Sequence, residues 1–235
     1  MNNIAKAVAN LQRLRGIKGK KVNNDVYPRG NWTESKSGLI LTKEFLWNLF
    51  KKHRPKDFVI DDRNEKVIFT ILRYFLKDNN FNEYGLIKST PSLDKGILIF
   101  GDYGVGKTQL FSIINEIGRE LLKYGCSDLW FSQISAGLFV ENYMRSTTER
   151  ESTFLISNYY KGKLYIDDLG KEKKAFNKNE IVEELLFERN RVGGKTFVTT
   201  NLSPVEISEK YGPRLGDRLP EMFNIISWRG ESFRD

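Results

Sequence analysis

Apolar runs and amphipathic stretches alternate over the last two thirds of the chain. Five runs rich in β-branched and aromatic residues predict strands at 96–100, 129–134, 163–167, 195–200 and 224–228. The amphipathic stretches between them predict helices at 107–123, 179–191 and 204–211, with further helical segments up to about residue 160. Strands that alternate with helices pair as a parallel sheet with helices on both faces. The predicted fold class is therefore α/β, with a sheet of five parallel strands.

The N-terminal quarter is less apolar and is predicted to form two short helices. Apolar positions three or four apart predict one helix over 3–15, and Thr42 can cap a second helix that runs to about Lys52. The polar stretch 17–38 between them contains Pro28 and is typical of a loop. These helices hold too few apolar residues for a core of their own, which indicates a docking segment.

A strongly amphipathic helix follows this segment. Asp62 and Glu65 have the spacing of a capping box, and apolar residues at helical spacing continue to Leu76. Such a helix is expected to lie against the sheet. We therefore divide the chain into a docking segment, residues 1–56, and an α/β domain, residues 57–235.

The formal net charge of +8 is unevenly distributed. Residues 1–56 contain 13 Lys or Arg against three acidic residues, a net charge of +10, whereas the rest of the chain has 25 basic and 27 acidic side chains. This asymmetry predicts an anionic partner, either nucleic acid or an acidic protein surface; a solvated basic arm is the alternative. The single cysteine, Cys126, favours a reducing cytoplasm, and no apolar stretch approaches the roughly 20 residues of a membrane span.

The clearest motif lies between the first predicted strand of the sheet and the helix that follows it. Residues 101–108 read GDYGVGKT and match the phosphate-binding pattern G-x-x-x-x-G-K-[ST]. Its glycines let backbone N–H groups surround phosphates at a helix N-terminus, while Lys107 reaches the β- and γ-phosphates and Thr108 ligates Mg²⁺. The predicted ATP-binding residues are Gly101, Asp102, Tyr103, Gly104, Val105, Gly106, Lys107, Thr108 and Gln109.

Polar side chains follow two later strands of the predicted sheet. The strand at 163–167 ends in Asp167 and is followed by Asp168, and the strand at 195–200 is followed by Asn201. In phosphate-loop proteins a carboxylate at a strand end supports Mg²⁺, and we assign this role to Asp167. Asp168 is expected to orient or deprotonate the attacking water, and Asn201 to hold the same water. An ordinary acidic turn and a turn-forming Asn are the alternative interpretations.

The order and spacing of these motifs resemble a known family. The matching segments are GDYGVGKT, LYIDDLG, FVTTNLSP, YGPRLGDRLPEMF and RGESFR, which extend over about residues 60–235. They are similar to those of the DnaC/DnaI-like helicase loaders, a branch of the AAA+ ATPases that also includes the transposition helper IstB. The resemblance implies a P-loop NTPase fold that binds ATP and Mg²⁺ and hydrolyses ATP to ADP and phosphate. It also implies an ATP-dependent oligomer, with single-stranded DNA and a replicative DNA helicase as partners.

The resemblance implies roles for three arginines. Arg218 matches the arginine finger that reaches the ATP of the next subunit, with Arg214 as the second candidate. A surface salt bridge between Arg218 and Glu221 is the structural alternative. Arg234 matches the position called sensor 2. Asp168 stands where many relatives carry Glu, and its shorter side chain predicts slow hydrolysis.

The leading hypothesis is a helicase loader that closes around single-stranded DNA when ATP binds. Basic and aromatic residues near the helical region 136–160 are expected to line the DNA path; they are Tyr143, Arg145, Arg150, Tyr159 and Lys161. The alternative is that these are core aromatics and surface charges. Two other functions stay open: a transposition helper that remodels duplex DNA, and a switch that binds ATP and DNA with negligible turnover. A small-molecule kinase is disfavoured because no separate lid insert is visible.

Overall fold

The computed structural model describes residues 32–34, 40–148 and 154–233 of the chain, so the helix predicted at 3–15 lies outside the described residues. The strands are β1 (Trp32–Glu34), β2 (Ile40–Thr42), β3 (Gly96–Gly101), β4 (Ser132–Ser135), β5 (Leu164–Leu169), β6 (Thr196–Thr200) and β7 (Phe223–Trp228). The helices are α1 (Lys43–His53), α2 (Glu65–Phe75), α3 (Lys107–Leu122), α4 (Ala136–Thr148), α5 (Ile181–Arg191), α6 (Pro204–Tyr211) and α7 (Pro213–Met222). A short 3₁₀ helix covers Ile156–Tyr159. In the described ranges no helix combines the length and the apolar character needed to traverse a bilayer.

Five strands form one parallel sheet in the order β4-β5-β6-β3-β7, which confirms the predicted α/β fold. The strand that leads into the phosphate-binding motif, β3, lies beside β6, and β6 lies beside the acidic strand β5. Because all five strands are parallel, their carboxyl ends meet at one edge of the sheet. This topology brings the three candidate motifs to the same edge.

The apolar core lies on both faces of the sheet. Successive residues of β3 face opposite sides: Ile97 and Ile99 belong to the cluster covered by α1, α2 and α3, whereas Leu98 belongs to the cluster covered by α4 to α7. Aromatic rings pack against each other on the face covered by α1, α2 and α3. There, Phe111 of α3 stacks on Tyr165 of β5 with 4.6 Å between the ring centroids. The phosphate-loop helix and the acidic strand are therefore packed directly together.

The α1 helix packs into this core. Thr42 caps it, because its side-chain oxygen accepts a hydrogen bond of 3.1 Å from the backbone N–H of Phe45. Leu46 and Phe50 are fully buried with the apolar residues of α2 and α3. The helix predicted to belong to a docking segment thus also contributes to the core, and the division of the chain between residues 56 and 57 stays a prediction.

Three local predictions differ from the structure in their bounds. The range 17–38 is not entirely loop, since Trp32–Glu34 pairs with Ile40–Thr42 in an antiparallel ribbon. The first residues of the apolar run 129–134 precede β4, which begins at Ser132, and the Phe131 carbonyl accepts a hydrogen bond of 2.6 Å from the Asn115 side chain of α3. The strand predicted at 163–167 continues to Leu169.

The predicted capping box at Asp62 and Glu65 does not form. The α2 helix begins at Glu65, and its N-cap residue Asn64 makes no capping hydrogen bond. The Asn64 side chain instead donates to the Val59 carbonyl at 2.7 Å and accepts from the Asp61 N–H at 3.1 Å. Asn64 therefore shapes the loop before α2, which lies next to the phosphate-binding loop.

Candidate functional site

The phosphate-binding loop connects β3 with α3. Gly104 and Gly106 have φ angles of 78° and 101°, a left-handed conformation that other residues rarely adopt. A Cβ atom on Gly106 would also lie 3.1 Å from the ring of Phe58. The α3 helix begins at Lys107, so its unpaired N-terminal N–H groups face the loop. The loop thus combines the tight turn and the helix N-terminus that phosphate binding requires.

The Lys107 side chain is buried at the centre of the site. Its ammonium donates hydrogen bonds to the carbonyls of Gly101 at 2.8 Å and Asp102 at 2.6 Å, and to Asn201 Oδ1 at 2.8 Å. Burial lowers the pKa of Lys107, while the negative charges of Asp168 and Asp102 oppose this effect. The three contacts hold the ammonium between the phosphate-binding loop and the end of β6.

Asp167 lies beside the first turn of α3. Its Oδ1 accepts hydrogen bonds from the hydroxyls of Thr108 at 2.9 Å and Tyr165 at 2.7 Å, and also from the Thr199 hydroxyl. Burial, followed by the charge of Asp167, raises the pKa of Tyr165 well above its ordinary value, so this phenol stays a hydrogen-bond donor. These donors fix the carboxylate next to Thr108, the arrangement expected of a shared Mg²⁺ site.

Sequence reasoning missed Tyr165 and Thr199 as partners of Asp167. Tyr165 precedes Asp167 by two residues, so both side chains project from the same face of β5. Thr199 is in the penultimate position of β6, the strand beside β5. Because side chains two residues apart on a strand share a face, this alternation in the sequence could have identified Tyr165 and Thr199.

Asp168 has an unusual backbone. The register between β5 and β6 shifts between Ile166 and Leu169, and Asp168 has a φ of 55°, which is uncommon for a residue with a side chain. The Asp168 side chain lines the same cavity as the phosphate-binding loop. Its carboxylate lies 2.9 Å from the ammonium of Lys171.

These residues surround a cavity of about 350 Å³, within the range of roughly 300–1,000 Å³ that is typical of small-molecule sites. The predicted residues that line it are Tyr103, Gly104, Gly106, Lys107, Thr108, Gln109, Asp168 and Asn201. Sequence reasoning missed the other lining residues, which are Asp57, Phe58, Val59, Asn64, Lys171 and Phe233. No motif marks these residues, because they reach the cavity only through tertiary folding. The lining combines apolar side chains, such as those of Phe58 and Val59, with the ammonium groups of Lys107 and Lys171, and this combination fits a nucleotide.

Two further predicted loop residues, Val105 and Asp102, lie next to the cavity but are not among the described residues that line it. Val105 is buried in the core, and the Asp102 carboxylate accepts a hydrogen bond of 3.0 Å from the Gly230 N–H. The Phe233 N–H also donates to the Gly104 carbonyl at 3.1 Å. The chain after β7 therefore runs along the phosphate-binding loop. Arg234, the predicted sensor 2 residue, lies outside the described residues.

Arg214 and Arg218 lie on α7 and are absent from the described residues that line the cavity. The Arg214 guanidinium lies 4.7 Å from the centre of the Phe187 ring. Arg218 donates a hydrogen bond of 2.7 Å to Glu221, and more than half of each of these two side chains is exposed. The predicted surface pair is present, and the Arg218 side chain stays accessible to solvent.

A lysine-rich loop, residues 173–178, follows the acidic strand and carries an exposed aromatic side chain that sequence reasoning missed. Phe176 is 47% exposed, and both Phe176 and Asn177 have positive φ angles. Tyr159 was also predicted to line the DNA path. Its ring instead packs edge-on against Phe139 of the apolar core. Arg150 lies outside the described residues. The lysine-rich loop thus combines positive charge with a half-exposed aromatic ring.

No family model matches the sequence, and neither does any curated protein. Solved structures match the fold. The DnaC helicase loader is 19% identical, with a TM-score of 0.52 over 80% of this chain and 99% of that chain. DnaI is 20% identical, with a TM-score of 0.50 over 80% and 93%.

Domain III of the replication initiator DnaA from Thermotoga maritima is also similar, with 22% identity and a TM-score of 0.51 over 75% of this chain and 67% of that chain. The three likenesses confirm the predicted α/β fold, which this chain shares with these structures. They also confirm the resemblance to DnaC and DnaI at the level of the fold.

Proposed function

We propose that this chain, which has the AAA+ fold found in DnaC and DnaI, is an ATPase that works as a DNA helicase loader. The observation that carries the ATPase proposal is the meeting of three separate motifs at one cavity. Lys107 contacts Asn201, Thr108 contacts Asp167, and Asp168 lines the same space. A phosphate-binding loop without catalytic function would not require a carboxylate and an amide on two other strands.

Each of these residues has a distinct task in hydrolysis. Lys107 and the N-terminal N–H groups of α3 bind the β- and γ-phosphates. Thr108 and Asp167 are the residues that would hold Mg²⁺, which supplies positive charge to the phosphates when bound. Asp168 and Asn201 orient the attacking water, and Asp168 accepts its proton.

The proposed oligomer depends on α7. Arg218 is exposed and lies apart from the cavity of its own subunit, as an arginine that acts on a neighbouring subunit must. An exposed ion pair such as that of Arg218 with Glu221 contributes only about 0–1 kcal/mol, so the arginine can exchange Glu221 for a phosphate at low cost. Arg214 is the second candidate for this role.

Single-stranded DNA and a replicative helicase are the proposed partners, with the protein acting in the cytoplasm. The lysine-rich loop 173–178 supports DNA binding, because Phe176 can stack on a base while lysines contact phosphates. The basic residues 1–56 are the proposed helicase-docking segment. Deleting all of them would also remove Leu46 and Phe50 from the core. The docking test therefore replaces Lys18, Lys20 and Lys21 with alanine in the full chain and measures helicase capture.

The experiment that tests the ATPase is a measurement of phosphate release with and without single-stranded DNA, against an Asp168→Asn variant. A loader is expected to hydrolyse ATP faster than the variant and to be stimulated by DNA. The pairing of Asp168 with Lys171 favours a second candidate, a low-turnover switch, because a carboxylate held by an ammonium group is less free to bind the attacking water. A rate equal to that of Asp168→Asn under both conditions would support the switch and exclude the ATPase.

A further inference from the structure

Lys171 places a second ammonium group at the mouth of the cavity. Its Nζ lies 2.9 Å from Asp168 Oδ1 and 5.6 Å from the centre of the Tyr103 ring. Tyr103 belongs to the phosphate-binding loop, and Lys171 itself lines the cavity. The side chain therefore lies between the phosphate-binding loop and the carboxylate proposed to position water.

The backbone on both sides of Lys171 is anchored. The Gly170 N–H donates a hydrogen bond of 2.9 Å to the side chain of Glu172, and Glu172 also accepts one from the Tyr211 hydroxyl. The Lys210 ammonium donates to the carbonyls of Gly170 at 2.9 Å and Glu172 at 3.0 Å. The α6 helix thus holds this turn in place, while the Lys171 side chain remains 49% exposed and able to move.

Positive charge converges on this part of the cavity. Lys107 and Lys171 both line the cavity. Two ammonium groups that face one cavity are stabilised together by an anion that binds in it. The phosphate-binding loop marks where such an anion would bind.

We propose that Lys171 is a further binding residue for the terminal phosphate of ATP, and that it selects ATP over ADP. This inference rests on the proposed function, because it requires ATP at the phosphate-binding loop. An ion pair between half-exposed side chains is weak, so a γ-phosphate with about two negative charges competes with Asp168 for the ammonium. The exchange also releases the Asp168 carboxylate to accept a hydrogen bond from water. ADP has no γ-phosphate and leaves the pair of Lys171 with Asp168 intact.

The test measures two dissociation constants by calorimetry on the full chain, one for ADP and one for a non-hydrolysable ATP analogue, with Mg²⁺ present. Lys171→Ala is expected to weaken binding of the analogue about tenfold, the loss of one charge-assisted contact, and to change ADP binding by less than about twofold. Lys123→Ala is the matched control, because Lys123 is an exposed lysine at the C-terminal end of α3 and is absent from the described residues that line the cavity. It should change neither constant.

The outcomes separate this inference from the proposed function. Failure of the unmodified chain to bind either nucleotide would reject both. If the unmodified chain binds both nucleotides and Lys171→Ala keeps the same ratio of the two constants, ATP binding at the loop stands and the role of Lys171 is wrong. A Lys171→Arg variant that retains the ratio would show that the charge is what selects ATP.

Discussion

The hydroxyl of Thr108, on the first turn of α3, donates a hydrogen bond of 2.9 Å to the carboxylate of Asp167 near the end of β5, 59 residues further along the chain. The two residues come from motifs that the sequence shows separately. Their contact joins the phosphate-binding loop to the acidic strand end. It follows that changes within this small group should affect nucleotide binding and hydrolysis in separable ways.

Lys107→Ala is expected to abolish nucleotide binding. The Lys107 ammonium is held inside the phosphate-binding loop, and its loss removes charge-assisted hydrogen bonds to two phosphates, which corresponds to a loss of affinity of roughly 100-fold or more. Calorimetry with ATP and Mg²⁺ measures this effect. Lys123→Ala is the control, because Lys123 is an exposed lysine at the other end of the same helix. Unchanged ATP affinity in Lys107→Ala would contradict the loop assignment.

Arg218→Ala is expected to spare ATP binding and to reduce hydrolysis about 1,000-fold or more, the size of effect known for arginine fingers. ATP-driven assembly, measured by light scattering, should also be lost. Glu221→Ala is the matched control, since it breaks the same surface pair and leaves the arginine in place. Equal losses in the two variants would mean that the pair matters for structure and that Arg218 is not the finger.

Mixing two variants tests whether the arginine acts between subunits. Arg218→Ala keeps an intact cavity but lacks the finger, whereas Asp168→Asn keeps the finger but lacks the carboxylate. A mixture should regain part of the hydrolysis, because an Asp168→Asn subunit can supply Arg218 to a neighbour whose cavity is intact. Absence of any recovery, in a mixture shown to assemble, would argue against action between subunits.

Phe176→Ala is expected to weaken binding of single-stranded DNA by roughly 5- to 100-fold, because stacking of one base on an aromatic ring is worth about 1–3 kcal/mol. Fluorescence anisotropy with a labelled oligothymidylate measures the affinity. Tyr84→Ala is the control, as another exposed aromatic residue on the loop after α2. DNA binding at the unmodified level in Phe176→Ala would remove the lysine-rich loop from the DNA path.

The sequence predicted the elements that depend on spacing. The pattern around Lys107 and the acidic end of the strand at Asp167 identified the sheet edge, because the carboxyl ends of parallel strands must meet there. The bulge at Asp168 was not predictable, since the simple alternation of a strand continues through the residues before it. The position of Lys171 follows from that bulge and from the contact of Glu172 with Tyr211, two features of tertiary structure.

The α1 helix shows that the number of apolar residues in a segment does not predict whether the segment packs into a common core. Its apolar side chains are too few for a separate core, as expected, but they complete a core that α2 and α3 leave open. Lys52 and His53 reinforce the contact through Glu120 of α3, with Lys52 Nζ at 2.8 Å and 2.9 Å from the two carboxylate oxygens. Such long-range ion pairs leave no local pattern in the sequence.

These contacts of Lys52 and His53 with Glu120 predict that the stability of the fold depends on pH. Burial alone would raise the pKa of Glu120, but hydrogen bonds from Lys52 and His53 outweigh it and lower the pKa below its ordinary value of 4.5. A carboxyl group whose pKa is lower in the folded state stabilises the fold above the unfolded pKa, and this contribution is lost as the pH falls through the folded pKa. Glu120→Gln should therefore reduce the free energy of unfolding by roughly 1 kcal/mol at pH 7.

Urea unfolding at a series of pH values measures the difference between Glu120→Gln and the unmodified chain. The difference should be constant from pH 7 down to about pH 5 and should shrink below 4.5, because protonated Glu120 and Gln are both neutral. Glu209→Gln, at an exposed position of α6, removes the same charge and should change stability by less than about 0.5 kcal/mol throughout. A difference for Glu120→Gln that persists unchanged at low pH would show that the ion pair is not its cause, because only the ion pair depends on the ionised carboxylate.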